Sequence, residues 1–159
     1  MDHLLALLQQ NARISLEDAA RQLDLTPEQV AARMEELEEK GVIRAYQAVV
    51  NDDMLDTDIV TAVIEVKVQP EREGGFDRIA ERVSKYPEVT SMYLMSGQYD
   101  LLLFVEGSDL RTVASFVSGR LSSIPGVTGT ATHFRLKTYK HHGVLMDKDH
   151  ETERLQVSP

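Results

Sequence analysis

Apolar positions along this chain follow two regimes, helical over the first forty residues and then switching between strand-like and helical stretches. Leu4, Leu5, Leu8 and Ile14 predict a first helix with an apolar face, running to about Asn11. In "SLEDAARQLDL", Leu16, Ala19, Ala20 and Leu23 recur at i, i+3, i+4 and i+7, which predicts one buried stripe. Ser15 can cap this helix, with Asp18 three residues on as its reciprocal partner. A short turn through Asp24 and Leu25 leads to Thr26, the N-cap of a third helix. Pro27 takes the first helical position, where no N–H is required, and Gln29 completes a second capping box. Val30, Met34 and Leu37 share the apolar face, and Gly41 ends the helix. "VIRAYQAVV", 42–50, predicts a β-ribbon, so the whole reads as a winged helix-turn-helix.

Beyond the polar "NDDMLDTD" at 51–58 the pattern changes. "IVTAVIEVKV" (59–68) puts Val60, Ala62, Ile64, Val66 and Val68 on one face of a strand. "FDRIAERVSKY" (76–86) predicts a helix that buries Phe76, Ile79, Ala80 and Val83. "VTSMYLMS" (89–96) and "YDLLLFVEG" (99–107) read as strands joined by Gly97-Gln98 in a two-residue type II′ hairpin. Leu101 to Val105 is apolar on both faces, as a central strand should be. "SDLRTVASFVSGRL" (108–121) predicts a helix capped by Ser108 that buries Leu110, Val113, Ala114, Val117 and Leu121. Ile124-Pro125-Gly126 stops it, and "VTGTATHFRLKTY" (127–139) alternates as the last strand.

The order strand-helix-strand-strand-helix-strand is the βαββαβ, ferredoxin-like sandwich, in which two helices cover one face of four strands. Its other face must meet something, and a bare apolar face predicts a dimer interface. The expected fold class is α+β. The winged helix-turn-helix occupies 1–50, a linker 51–58, the βαββαβ domain 59–140 and a polar tail 141–159.

Charge narrows what the first domain can do. A net charge of −9 and a pI near 5.0 argue against loose, sequence-independent binding to nucleic acid. Residues 1–50 hold five basic and nine acidic groups, so any DNA contact there must be local and geometric. At 100° per residue, the face of the third helix away from Val30, Met34 and Leu37 carries Glu28, Gln29, Ala32, Arg33 and Glu36. A recognition helix reads bases with its N-terminal part, which nominates Thr26, Gln29, Ala32 and Arg33. The Gln29 amide and the Arg33 guanidinium can each make bidentate base contacts. Lys40 and Arg44 are candidate phosphate contacts, while Glu35, Glu38 and Glu39 are expected to face solvent or neighbouring protein.

Other chemistries find little support. There is no cysteine, hence no disulfide, thiolate metal site or cysteine nucleophile. No glycine-rich phosphate loop, paired-acid arrangement or Ser/His/Asp constellation stands out, so neither catalysis nor a cofactor is expected. His141, His142, Asp147 and His150 match no four-ligand spacing, and no metal site is expected from them. Apolar runs such as "LLLFV" (101–105) are too short to span a bilayer, and the N-terminus shows no basic secretory lead.

In its motifs the chain resembles the leucine-responsive regulator/AsnC family of prokaryotic transcription factors, over residues 4 to about 139. The resemblance is carried by "NARISLEDAARQLDLT", "RMEELEEKGVIRAYQAVVN", "GQYDLLLFV" and "IPGVTGTATHFRLKTYK". It implies a cytoplasmic regulator of double-stranded DNA whose second domain senses an amino acid and assembles dimers into octamers or similar rings. By the same resemblance the effector sits between dimers near Gly97, Gln98, Tyr99 and Asp100, with Thr130 and Thr132 on the final strand close by. A homodimer would set two reading helices one turn apart on a pseudo-palindromic site. The reading helix is more acidic than is usual in that family. That acidity leaves open an alternative, a metabolite-binding regulatory or assembly protein without DNA binding.

Overall fold

The first three helices form because their own side chains start and stop them. In the computed structural model, which describes residues 2–69 and 76–146, the chain divides between Val50 and Asn51 into two units. In the first unit, α1 (His3–Gln10) is capped by Asp2, whose carboxylate accepts the Leu4 N–H, and α2 (Leu16–Leu23) by Ser15. Ser15 Oγ accepts the Asp18 N–H and donates back to Asp18 Oδ2, so the reciprocal half of the expected box closes between side chains. Asp24 ends α2 in the left-handed region at φ 56°. The third helix, α3 (Pro27–Glu39), begins with the full Thr26/Gln29 capping box. Gly41, at φ 67°, lets Val42 and Ile43 both donate to the Leu37 carbonyl, which terminates the helix.

Leu4, Leu8, Ala19, Ala20, Val30 and Leu37 form the buried core of this unit. Leu16, expected in the stripe, is instead exposed at the first position of α2, ahead of the turn that packs. The ribbon expected over 42–50 is also absent. Residues 43–50 run without regular structure, and Val42, Val49 and Val50 stay exposed, because nothing within the unit offers a strand to pair with.

In the second unit, β1 (Val60–Val68), α4 (Asp77–Val83), β2 (Val89–Leu94), β3 (Leu101–Gly107), α5 (Leu110–Phe116) and β4 (Val127–Phe134) follow in the expected order. The strands form one antiparallel sheet ordered β2-β3-β1-β4. Register sets Ala62, Ile64 and Val66 of β1 against Val105, Leu103 and Leu101 of β3, all buried on one face with Ile79, Val83, Val113, Phe116 and Leu121. The central position of β3 explains why its sequence is apolar throughout.

Four local expectations are corrected. The β2–β3 connection is not a two-residue turn. Pairing ends at Leu94 with Leu101, the Met95 N–H reaches the Asp100 carbonyl, and Gly97 lies at φ 143°, outside type II′ geometry. Asp109, not Ser108, caps α5, because its carboxylate accepts the Thr112 N–H. Within α5 the buried residues are Val113 and Phe116 while Leu110 and Ala114 are exposed, and a π-helical turn over Val117–Leu121 follows, with Leu121 buried as expected. The residues read as the start of a tail hold a small hairpin, β5 (Lys140–His141) and β6 (Val144–Leu145), followed by buried Met146.

Candidate nucleic-acid interface and ligand cleft

The front of α3 is exposed, but its polar groups are already committed. Gln29 Oε1 accepts the Thr26 N–H at 2.9 Å while Thr26 Oγ1 accepts the Gln29 N–H at 3.3 Å. The Gln29 carbonyl oxygen is therefore spent on the cap, and its amide N–H₂ remains for an outside partner. Glu28 is held below the usual carboxylate range by a hydrogen bond from its own backbone N–H and by the Thr26 side chain. Exposed Ala32 lies on an outward ridge with Glu28, Glu35 and Glu39.

Arg33 sits on the flank of that ridge, beside the buried face. Its Nη2 donates to Asp2 Oδ2 of the α1 cap at 3.0 Å, and its Nη1 donates to Glu36. Lys40 Nζ donates to the other Glu36 oxygen. The Lys40 and Arg33 hydrogen bonds hold the Glu36 carboxyl below its ordinary range, Arg33 does the same to Asp2, and Glu36 and Asp2 push the Arg33 guanidinium up. Sequence reasoning placed Arg33 and Lys40 as free contacts. In the structure both are neutralised by acids of the same unit. Arg44 and Arg13 make no ion pair among the described residues. Arg13 was not singled out from the sequence, since a single arginine in a turn carries no pattern. Arg44 lies over Gly41, where a β-carbon would stand 3.2 Å from its Nη1.

A cleft of about 350 Å³ opens on the second unit, lined by Glu65, Lys67, Gln98, Tyr99, Gly129, Thr130 and Ala131. The β1–β4 register makes it: Glu65 faces Ala131 and Lys67 faces Gly129, so two charged residues stand opposite two small ones. Alternation puts Glu65 and Lys67 on the sheet face opposite buried Ile64 and Val66. His133 Nε2 lies 3.5 Å from Glu65 Oε1. Of the residues expected here, Gln98, Tyr99 and Thr130 line the cleft; Gly97, Asp100 and Thr132 do not. Asp100 braces the loop, with Oδ2 accepting the Val68 N–H at 2.7 Å and its own N–H donating to the Val66 carbonyl at 3.0 Å. Glu65 and Lys67 were missed from the sequence because alternation marks them only as the polar side of a strand.

A second open cleft of about 300 Å³ includes Asp52, Thr61 and Arg135. Arg135 Nη2 already bonds Asp52 and Thr61, each at 2.9 Å, so its polar groups have found partners within the chain. No group of three or more His, Asp or Glu side chains close enough to hold a metal occurs among the described residues, and Asp147 and His150 lie outside them. No described helix is long and apolar enough to cross a membrane.

The family model for a winged helix-turn-helix DNA-binding domain matches residues 3–44, and that for the Lrp/AsnC ligand binding domain matches residues 61–145. The chain is 41% identical over 157 residues to the uncharacterized HTH-type transcriptional regulator YugG of Bacillus subtilis, covering 98% of this chain and 95% of that one. It is 32% identical over 127 residues to the proline dehydrogenase transcriptional activator of Rhodobacter capsulatus, covering 80% and 82%. A transcriptional regulator of Neisseria meningitidis solved in complex with L-Met superposes with a TM-score of 0.69 at 29% identity, covering 87% of this chain and 88% of that one.

Proposed function

This chain belongs to the Lrp/AsnC family of DNA-binding transcriptional regulators, and from that premise we propose that it reads a duplex site with the front of α3 and adjusts that binding when an amino acid occupies the Glu65/Lys67 cleft. One observation carries the reading. The same chain holds an exposed, doubly capped reading helix and a cleft whose opposite charges stand two residues apart on one strand face. An α-amino acid presents an ammonium and a carboxylate. Glu65 can accept from the first, and Lys67 can pair with the second. The methionine complex of the Neisseria regulator supports the amino-acid class.

Thr26, the Gln29 amide N–H₂, Ala32 and Arg33 form the base-facing set, with Lys40 and Arg44 on phosphates. The open sheet face, where Tyr93 and Phe104 pack edge to face at 6.2 Å, supports a homodimer that assembles further, to an octamer or similar ring. Acting on DNA places the protein in the cytoplasm. The named relatives are transcriptional regulators, and no catalytic role is assigned.

Fluorescence anisotropy on a duplex from upstream of its own gene, against a scrambled duplex, tests the reading with each of the twenty amino acids in turn. Preferential binding that one or a few amino acids shift is expected. Equal binding to both duplexes, or indifference to every amino acid, overturns it.

A further inference from the structure

We infer that Glu36 is an internal stand-in for a DNA phosphate: its carboxylate holds Arg33 and Lys40 until duplex backbone displaces it, so that this one residue sets how strongly the reading helix binds DNA. The inference rests on the DNA-binding reading above and concerns the control of that same surface.

Glu36 is bonded on both oxygens, to Arg33 three positions earlier and to Lys40 four positions later. A helix-stabilising i,i+4 pair would need only one of these. Arg33 is held a second time, from outside the helix, by Asp2 of the α1 cap. The four side chains close a neutral network of two acids and two bases. All four are partly solvent-exposed, with Lys40 at 61% and Glu36 at 42%, so displacement needs no core to open.

The wider charge inventory gives this network its weight. The first unit has five basic residues, and Arg21 is also paired, with Asp18. Of these five, only Arg13 and Arg44 have no ion pair among the described residues. Binding to duplex draws on released counterions in proportion to the phosphates neutralised. With the network closed the unit offers two cations outside any ion pair; displacing Glu36 adds Lys40 and leaves Arg33 held by Asp2 alone. Phosphate and carboxylate are both anionic acceptors of charge-assisted hydrogen bonds, so one can replace the other on Arg33 and Lys40. An isolated site pays for this exchange with weak affinity, and a sequence that fits α3 closely recovers it. Glu36 would thereby suppress binding to unrelated DNA more than binding to the cognate site.

The test uses the full chain on the upstream duplex and its scrambled counterpart across a salt series, comparing wild type with Glu36→Gln and Glu39→Gln. Both variants remove one negative charge from α3, but Glu39 holds no base in any ion pair among the described residues. Each added phosphate contact steepens the log–log salt slope by about 0.9, worth roughly tenfold in affinity near 50 mM salt. Glu36→Gln is expected to gain about tenfold or more on the scrambled duplex, with a slope steeper by about one to two, and Glu39→Gln to gain much less. Asp2→Asn, which frees Arg33 from its second partner, should move in the same direction by a smaller amount. If Glu36→Gln matches Glu39→Gln in affinity and slope, or binds more weakly than wild type, the inference is overturned while DNA binding stands. If no variant binds either duplex even at low salt, both fall. Thermal melts of each variant establish that the fold is retained.

Discussion

The Tyr46 hydroxyl donates to Glu38 Oε1 at 2.7 Å, tying the extended segment that leaves α3 back to the helix it came from. With Glu36 clamping Arg33 and Lys40, this assigns a second α3 carboxylate to a bond inside the protein. The acidity of the helix is thus partly internal wiring, and its exposed remainder is the ridge of Glu28, Glu35 and Glu39.

Burial and the Glu38 carboxylate push the Tyr46 phenol up to about 12. Since its folded value lies above the ordinary value of 10.0, the tether's stabilisation is complete below pH 10 and lost as pH rises from there through 12. A spectrophotometric tyrosinate titration should show a late step from Tyr46. Tyr46→Phe should remove that late step, and Glu38→Gln should move it earlier. A late step that survives Tyr46→Phe refutes the assignment.

Asp100 should matter for stability before it matters for any ligand. Asp100→Ala strips the acceptor from the Val68 N–H at the end of β1, and leaving that partly buried donor unpaired should cost about 1–2 kcal/mol with no amino acid present. Asp100→Asn keeps an oxygen there and should recover most of the loss. Chemical denaturation of both variants without ligand decides. No loss in Asp100→Ala would mean that the loop is held by other contacts.

These two sites show where sequence pattern stops being informative. Caps were legible at Thr26, because capping chemistry is local and Pro27 and Gln29 sit at fixed offsets from it. The strand order and the core of β1 were legible because alternation reports burial directly. The segment 42–50 was misread because β-branched residues signal strand propensity but not the presence of a partner strand. Helix α5 was misread because Leu110 and Ala114 share the apolar character of buried Val113, and periodicity alone does not say that the stripe facing the sheet runs through Val113 and Phe116. The Arg33–Asp2 pair joins residues thirty-one positions apart, and only the packing of α1 against the rest of its unit brings them together. The cleft was legible through Gln98, Tyr99 and Thr130 only by family resemblance; Glu65 and Lys67 needed the β1–β4 register.

Gln29 has two roles that a single substitution can separate. Glu at this position also closes a capping box, and it adds a negative charge where the helix start favours one. Gln29→Glu should therefore leave thermal stability unchanged or slightly raised. The same change removes the one amide N–H₂ free for a base and places a carboxylate toward the duplex, so specific binding should weaken several-fold or more. Thr26→Ala provides the contrast, costing about 1 kcal/mol of stability through the lost cap. Unchanged DNA affinity in a well-folded Gln29→Glu variant would remove Gln29 from the base-facing set.

Gly129 offers the cleanest way to close the cleft proposed for the effector. A β-carbon built there meets only Lys67 Cβ, at 4.0 Å, an ordinary contact, and the backbone is not in the left-handed region. A larger side chain on this strand should be tolerated, since glycine inside a strand contributes nothing to packing. Gly129→Leu would fill the trough between Glu65, Lys67 and the Gln98–Tyr99 loop while leaving α3 untouched. In a thermal-shift screen, wild type should be stabilised by its effector by about 2.7 kcal/mol at a hundredfold excess over Kd, and Gly129→Leu should show none of that rise while melting normally alone. Its DNA affinity without effector should match wild type. A ligand-induced shift of unchanged size in Gly129→Leu would place the effector elsewhere.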